Sequence, residues 1–332
     1  MGLSKKSIMI VSIIVVLSIG IGAWFVEANY SLEPTRGEVF IMYAGSLVKT
    51  FESTIGPSFQ KDTDYIYVGE GKGSVQLANM IMDKQRAPDV FVSAGTIPVM
   101  KLMNHNPMLA HWLVKFASAE MVIAYTSNSP FFNDLERSRK GEVPWYEALS
   151  EDGLKFRRTD PELDPKGYYM IMVAKLANIY YNDPTIKDRI LGEDRNPAQL
   201  LPEESLLTTL EQGQIDAAAT YKHEAVARGL PYIALPREIN LSDPKFLNNY
   251  YGQVSYALGN GQIVRGDTID FSLTIPETYK SIDGSIAFVK FLLSKKGMDM
   301  LERDGLNPIK AVAEGDLEKM PPAIKELLGE KQ

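Results

Sequence analysis

Residues 39–46 of the chain read Val-Phe-Ile-Met-Tyr-Ala-Gly-Ser, an apolar run that ends in a glycine and a serine. A short apolar run bounded by turn residues is typical of a buried strand, and the pattern that follows through Phe51 is helical. The order strand, small-residue turn, helix returns with the strand Tyr65–Val68 and the turn Gly69–Ser74. Asp89–Val92 then predicts a third strand. This alternation predicts an α/β fold with a largely parallel sheet.

Two changes of composition divide the rest of the chain. The apolar strand Glu120–Tyr125 gives way to the turn-rich stretch Thr126–Pro130, and a second turn-rich stretch, Pro231–Pro236, comes after the predicted strand Ile215–Tyr221. We interpret these two turn-rich stretches as crossovers between two lobes. The predicted boundaries are residues 39–126 together with 237–332 for lobe 1, and residues 127–236 for lobe 2.

The N-terminus predicts export from the cytoplasm. A basic start precedes a long uncharged apolar run from Ile8 to Val26, which is the pattern of a secretory signal. Cleavage after Ala28 would release the protein, but the run is also about long enough to span a bilayer uncleaved. Residues 1–28 are therefore predicted to be a signal peptide or a membrane anchor, and residues 29–38 a linker. The protein is extracytoplasmic in either case.

Composition limits the possible partners. The chain has 332 residues, a net charge of −7 and no basic cluster, so nucleic acid is not an expected partner. It has no cysteine, which excludes disulfides and cysteine-based metal sites. The histidines His105, His111 and His223 are too scattered to predict a ligand set. We therefore expect no cofactor.

Three enzyme motifs are incomplete or absent. A P-loop requires Gly-Lys followed by Ser or Thr, but Lys72 is followed by Gly73. His223-Glu224 opens like a metalloprotease motif, yet position 227 is Ala227 rather than histidine. The Gly-x-Ser-x-Gly pattern of a nucleophile elbow does not occur. A secreted hydrolase is thus a weak alternative, because no organised nucleophile and base are evident.

Small and acidic residues follow several predicted strands. Ser46 and Ser74 come directly after two of them, and Asp164 precedes a proline at the start of a predicted helix. Serine at such a position commonly caps a helix, and aspartate before proline is commonly a turn residue. The carboxyl ends of parallel strands are also where open α/β sheets bind ligands, and helix N-termini bind anions. Both interpretations remain open from the residues alone.

Five short motifs occur in order along the chain: VFIMYAGSL at 39–47, GS at 73–74 with APDVFVSA at 87–94, EMVIAYT at 120–126, TDPELDPKGY at 159–168 and TY at 220–221. With them the chain, from about Val39 to Pro308, resembles the molybdate/tungstate-binding proteins of ABC importers, especially the archaeal type. The resemblance implies a two-lobed periplasmic-binding-protein clamp of type II, in which each lobe is a mixed sheet flanked by helices. It also implies a monomer without catalytic activity that delivers an oxyanion to an ABC permease.

The resemblance also assigns residues to the oxyanion. It implies hydroxyl donors from Ser46, Ser74 and Tyr221, and backbone donors near Tyr125 and Asp164. A site of neutral donors suits an oxyanion, which has acceptors only. The ligand would be molybdate or tungstate, which the sequence does not distinguish.

The resemblance further implies that Asp164 approaches the metal centre of the bound oxyanion as a direct ligand. A second carboxylate of the archaeal proteins is replaced here by Thr220, which we keep as a candidate ligand residue. Glu224 is expected to face elsewhere, and Lys72 is expected to point to solvent. The alternative ligand is another tetrahedral oxyanion, sulfate or phosphate; a protonated phosphate needs an acceptor, which Asp164 could supply.

Overall fold

The structure, a computed structural model, describes residues 37–329. The predicted signal peptide or anchor, residues 1–28, and nearly all of the predicted linker lie outside the described residues. Among residues 37–329, no helix combines the length and the apolar character needed to cross a membrane.

Thirteen strands form the sheets of the described part of the chain. Their bounds are β1 (Glu38–Ala44), β2 (Ile66–Lys72), β3 (Val90–Ala94), β4 (Trp112–Ala119), β5 (Met121–Tyr125), β6 (Phe156–Thr159), β7 (Leu200–Leu201), β8 (Ala217–Tyr221), β9 (Tyr232–Ala234), β10 (Ser255–Ala257), β11 (Ile263–Arg265), β12 (Ile269–Thr274) and β13 (Asn307–Gly315). A six-stranded sheet has the order β13-β4-β12-β3-β1-β2, and a five-stranded sheet has the order β7-β6-β8-β5-β9. Strands β10 and β11 pair separately.

Helices flank both sheets. The α-helices are α1 (Val48–Thr50), α2 (Gly56–Asp62), α3 (Ser74–Met82), α4 (Ile97–Met103), α5 (Phe132–Arg139), α6 (Trp145–Leu149), α7 (Pro165–Tyr180), α8 (Ile186–Leu191), α9 (Glu203–Glu211), α10 (Lys222–Arg228), α11 (Ile282–Leu293), α12 (Lys295–Arg303) and α13 (Pro322–Gly329). A π-helical turn spans Phe51–Ile55, and 3₁₀ turns span Gly45–Leu47, Pro197–Gln199, Pro244–Phe246, Tyr251–Gln253 and Leu317–Lys319.

The predicted α/β class is confirmed, but the prediction of a largely parallel sheet is wrong. Strand β1 pairs in parallel with β2 and β3, whereas β12, β4 and β13 run antiparallel to their neighbours. The second sheet is also mixed. The strand–helix alternation that favours parallel pairing covers only β1 to β3, and β12 and β13 join the same sheet from the C-terminal part of the chain. Mixed sheets are what the family resemblance implied.

The predicted first crossover is placed one strand too late. Strand β5 pairs with β8 and β9 of the five-stranded sheet, so the chain changes sheet at Glu120 rather than at Thr126. The turn-rich residues that follow β5 form a loop that leads into α5 within the second sheet's part of the chain. A composition change marks a loop, but strand pairing decides which sheet a strand joins. The other predicted lobe boundaries stay a prediction.

Helix α7 is the buried element that positions the residues after β6. It is buried on all sides over its first ten residues, which is why its sequence lacks the polar face of a surface helix. Its start is pressed against the end of β6: a Cβ atom on Gly167 would lie 2.6 Å from the carbonyl oxygen of Thr159 and 2.6 Å from the nitrogen of Pro161. Glycine at 167 therefore fixes the distance between this helix start and the strand.

We expect Gly167→Ala to lower the free energy of unfolding by about 1–3 kcal/mol, because the added methyl group meets backbone atoms that cannot rotate away. Urea unfolding of the ligand-free protein measures this change. The matched control is Gly329→Ala, since Gly329 is also helical and has no atom within 4 Å of a Cβ position. Equal unfolding free energies for the two variants would contradict the tight contact.

Candidate functional site

A cavity of about 350 Å³ lies where three helices begin. Its lining includes Gly73, Asp164 and Glu203, which stand at the starts of α3, α7 and α9. The first turn of a helix carries unpaired N–H groups and the positive end of the helix dipole. Three such ends around one cavity favour the binding of an anion.

The carboxyl ends of three neighbouring strands lie close to this cavity. Strands β2, β1 and β3 are adjacent and parallel, and each is followed by a small residue. A Cβ on Gly45, after β1, would lie 2.3 Å from Cγ of Glu203, and one on Gly73, after β2, would lie 2.6 Å from the carbonyl oxygen of Leu163. Glycine thus lets the two strand ends approach the segments that carry α7 and α9.

Asp164 caps α7 and also lines the cavity. Its Oδ1 accepts hydrogen bonds from the Lys166 amide at 3.0 Å and from the Thr159 hydroxyl at 2.8 Å. Burial raises the pKa of Asp164 to about 6, although Lys166 and Thr159 act in the opposite direction. The capping role considered from the sequence is therefore present. Its Oδ2 makes no hydrogen bond to the described residues and is the oxygen left for a ligand.

Lys166, which the sequence analysis missed, makes two buried hydrogen bonds to carboxyl groups in this region. Its side chain is 1% exposed, and Nζ donates to Glu203 Oε1 at 2.9 Å and to Glu224 Oε2 at 2.7 Å. Burial would lower the pKa of Lys166, but the carboxylates of Glu203, Glu224 and Asp164 raise it above its usual value. One signal was available: a lysine in the first turn of a helix opposes the dipole, so such a lysine needs a partner.

Glu224 faces this cluster, so the expectation that it faces elsewhere is wrong. Its Oε2 accepts from the Thr220 hydroxyl at 2.7 Å and from the Tyr221 amide at 3.2 Å, in addition to Lys166. A glutamate in the first turn of a helix commonly turns back to the residue that starts it, and the spacing Tyr221 to Glu224 is that pattern. Burial would raise the pKa of Glu224, but Lys166 above all lowers it. The hydroxyl group of Thr220, a predicted ligand residue, therefore donates its hydrogen bond to Glu224.

Several buried polar groups in this region lack hydrogen-bond partners among the described residues. These are the hydroxyls of Tyr168 and Tyr221, Oε2 of Glu203 and both ring nitrogens of His223. The Tyr221 ring stacks on His223 with 5.6 Å between centroids, and Lys166 Nζ lies 5.2 Å from the Tyr221 centroid. Burial lowers the pKa of His223 to about 4, so this imidazole is neutral at pH 7. Buried polar groups normally find a partner, and a cluster without partners indicates a ligand or water.

Both predicted serines lie on the first-sheet side of the region. Ser74 is fully buried, and its Oγ accepts a hydrogen bond from the Ala94 amide at 3.1 Å, which leaves its proton without an acceptor among residues 37–329. The Ser46 hydroxyl makes no hydrogen bond to any described residue. The Tyr168 hydroxyl comes within 3.5 Å of a Cβ built on Gly95, next to Ala94. Four hydroxyl donors, those of Ser46, Ser74, Tyr168 and Tyr221, are therefore unused.

Tyr125 does not join this group, which corrects the predicted set of site residues. Strands β5 and β8 are antiparallel and pair Met121 with Tyr221 and Tyr125 with Ala217, so Tyr125 lies at the opposite end of the sheet. Its amide donates to the Pro231 carbonyl at 3.0 Å, and its hydroxyl donates to Glu136. Neither donor is left for a ligand.

Two further expectations concern charged groups. Lys72 is partly exposed and pairs with Glu204 at 3.2 Å, at the rim of the cavity, instead of extending freely into solvent. Within residues 37–329, no group of three or more histidine or acidic side chains has a geometry that could hold a metal ion.

Comparison with known proteins gives concordant matches. Residues 39–307 match the family model described as bacterial extracellular solute-binding protein. The molybdate/tungstate-binding protein WtpA of Thermococcus kodakarensis is 31% identical over 85% of each chain. A molybdenum-binding protein of an ABC transporter from Haloferax volcanii is 34% identical over 72% of this chain and 74% of its own.

Among solved structures, the periplasmic molybdate-binding protein of Azotobacter vinelandii superposes with a TM-score of 0.55 over 81% of this chain and 98% of its own. The two sequences are 16% identical, so this likeness bears on the fold alone. The fold is that of the periplasmic binding proteins, as the sequence resemblance implied.

We expect Lys166→Met to lower the free energy of unfolding by about 3–5 kcal/mol, because it leaves buried carboxylates without their ammonium partner. Urea unfolding at pH 7.5 measures the loss, which should shrink at pH 5 as those carboxylates take up protons. The control is Lys72→Met, whose partly exposed pair with Glu204 is worth about 1 kcal/mol or less. Similar losses for both variants would rule out a special role of the buried pair.

Proposed function

This chain belongs to the bacterial extracellular solute-binding proteins, and we propose that its cavity captures molybdate or tungstate for delivery to an ABC permease. The protein binds its solute outside the cytoplasm, and its relatives in the family are transport proteins. We also propose that the N-terminal segment exports the protein, which is then either released or tethered to the membrane. The protein is proposed to be a monomer that has no catalytic activity and no cofactor.

One observation carries the proposal: buried hydroxyl donors without an acceptor among the described residues lie on segments next to the three helix starts that line a cavity, although the residues that carry these hydroxyls are not themselves in its lining. An oxyanion brings only acceptor atoms. The hydroxyls of Tyr221, Tyr168, Ser46 and Ser74 could each donate to it, and the helix ends add N–H groups and a favourable potential. The names of two relatives, which specify molybdate, tungstate or molybdenum, support the choice of anion.

The carboxylate of Asp164 needs an explanation in an anion site. Its Oδ1 is used by the helix cap and by Thr159, so only Oδ2 can reach a ligand. A carboxylate oxygen that lies next to the oxygens of a hydrogen-bonded oxyanion is repelled by them. A carboxylate oxygen that binds the molybdenum or tungsten centre directly is attracted, because hard oxygen ligands suit a highly charged metal. We therefore assign Asp164 as a ligand of the metal centre of the bound oxyanion.

Sulfate and phosphate are the competing ligands. A protonated phosphate requires an acceptor, and the buried carboxyl groups of Asp164 and Glu203 line the cavity that would hold it. Sulfur and phosphorus do not expand their coordination toward a carboxylate in this way, so ligation by Asp164 favours molybdate and tungstate. The four anions are distinguished by titrating each into the purified protein.

We expect Tyr221→Phe to weaken molybdate binding about 10- to 150-fold, because a hydrogen bond to a charged group contributes about 1.5–3 kcal/mol. The ligand-free variant should be more stable by about 1 kcal/mol, since the hydroxyl that it loses is buried without a partner. Calorimetric titration with molybdate, tungstate, sulfate and phosphate, together with urea unfolding, gives both quantities.

The matched control is Tyr125→Phe, which removes a hydroxyl bonded to Glu136 at the other end of the sheet. It should bind molybdate like the parent protein and lose stability. If the parent binds none of the four anions, or if both tyrosine variants bind equally well, the proposed oxyanion site is wrong.

We expect Asp164→Asn to weaken molybdate binding about tenfold, or roughly 1.4 kcal/mol, because the amide keeps the capping oxygen but is a poor metal ligand. Simple repulsion between the Asp164 carboxylate and the anion predicts the opposite result. The variant would then bind molybdate more tightly, by about 1–4 kcal/mol at contact for effective dielectric constants between 80 and 20. Calorimetry at one pH and salt concentration measures the change.

Asp160→Asn serves as the control, because Asp160 lines the same cavity but lies near its partly exposed edge. It should leave binding unchanged or tighten it slightly through lost repulsion. Tighter binding by Asp164→Asn would exclude ligation, as would X-ray absorption that reports only short oxygen distances in a four-coordinate metal. Neither result would affect the proposed oxyanion site itself.

A further inference from the structure

Three buried carboxyl groups lie around one ammonium group at the proposed site, and two of them, Glu203 and Glu224, pair with it directly. Asp164, Glu203 and Glu224 all lie within the cluster around Lys166, and the Glu203 side chain is 2% exposed. A dianion added to three ionised carboxylates and one lysine would be strongly disfavoured in a dry interior. At least one of the carboxyl groups must therefore be neutral when an oxyanion is bound.

The hydrogen-bond donors are distributed unequally among the three groups. Glu224 accepts from three donors and Asp164 from two, but Glu203 accepts only from Lys166. Oε2 of Glu203 is buried and has no partner among the described residues. A carboxylate is stabilised by donors, whereas a carboxylic acid needs an acceptor for its own proton. Glu203 is thus the group most suited to carry a proton.

The position of Glu203 places that proton near the anion. Its side chain packs on Gly45, directly before Ser46, and it lines the same cavity as Asp164. Burial, followed by the nearby Asp164 carboxyl, raises the pKa of Glu203 well above its usual value. An oxyanion oxygen would give its proton the acceptor that the described residues do not provide.

We propose that Glu203 acts as a neutral carboxylic acid that donates a hydrogen bond to the bound oxyanion, so that anion capture requires a proton on Glu203. This inference rests on the proposed oxyanion function and adds a specificity residue to it. A protonated carboxyl donates to an anion that has only acceptor atoms, and it adds no negative charge to the site. Affinity must then fall when Glu203 ionises in the ligand-free protein.

Four charged or titratable groups face Glu203 from α7, α10 and β8, and burial with the Asp164 carboxyl raises the pKa of Glu203 itself well above its usual value. Lys166 faces it from α7 and has a raised pKa, Glu224 faces it from α10 and has a lowered pKa, and burial raises the pKa of Tyr221 on β8 well above 10.0. Asp164, at the start of α7, has a pKa of about 6. The neighbouring Glu204 is directed to the rim, where it pairs with Lys72.

The test is calorimetric titration with sodium molybdate from pH 6 to 9.5 at constant ionic strength. The parent protein should lose up to tenfold in affinity per pH unit in the alkaline part of this range, which is the slope for one linked proton. Glu203→Gln keeps an acceptor for Lys166 and a donor for the ligand, so its affinity should not depend on pH there. Glu204→Gln, on the same turn, should follow the parent.

A parent affinity that stays constant from pH 6 to 9.5 overturns the proposal, and this result does not depend on any variant folding. A slope that persists in Glu203→Gln but disappears in Asp164→Asn also overturns it, because the proton would then sit on Asp164. In both cases molybdate still binds, so the proposed function stands. Absence of binding by the parent at every pH contradicts the oxyanion function, and the role of Glu203 fails with it.

Discussion

The arrangement of the site depends on the buried ammonium group of Lys166. It stands in the first turn of α7 and holds Glu203 from α9 and Glu224 from α10 through two hydrogen bonds of 2.9 and 2.7 Å. In a dry interior a charge without its partner costs several kcal/mol, so these three helix starts cannot separate without exposing or neutralising the cluster. These hydrogen bonds therefore hold the starts of α7, α9 and α10 together, and with them Asp164 and Glu203, which line the cavity.

The same helix starts explain how an anion site can contain so many acids and no arginine. Each helix end contributes a partial positive charge, and the carboxylates at these ends serve first as caps and as partners of Lys166. The attraction for an anion then comes from oriented N–H groups and hydroxyls, which are fixed by the fold and lose little entropy on binding. The buried hydroxyls of Tyr168 and Tyr221 lack a partner among the described residues, which costs stability, and in the proposed site a bound anion would remove that cost.

Local signals predicted the parts of the site that depend on local structure. Ser46, Ser74 and Asp164 were predicted at strand ends and a helix start because a turn after a buried run is visible in sequence. Tyr125 entered the predicted set through the family resemblance alone. The antiparallel pairing of β5 with β8, which puts Tyr125 at the far end of the sheet, is a tertiary property that the local sequence does not show. Glu203 and Lys166 could not be paired from sequence, since 37 residues separate them and only the packing of α9 against α7 brings them together.

Thr220 and Glu224 show how a neutral residue at a strand end can hold a carboxylate near the proposed site. The strand end carries a neutral threonine, yet its hydroxyl donates to a carboxylate that reaches back from the next helix turn at 2.7 Å. All three donors meet Oε2 of that carboxylate, which favours its ionised form and lets it hold Lys166. The carboxyl oxygens without a hydrogen bond to the described residues are Oδ2 of Asp164, Oε2 of Glu203 and Oε1 of Glu224. The acids at this site therefore differ in role through the number of donors each one meets, and not through their chemistry.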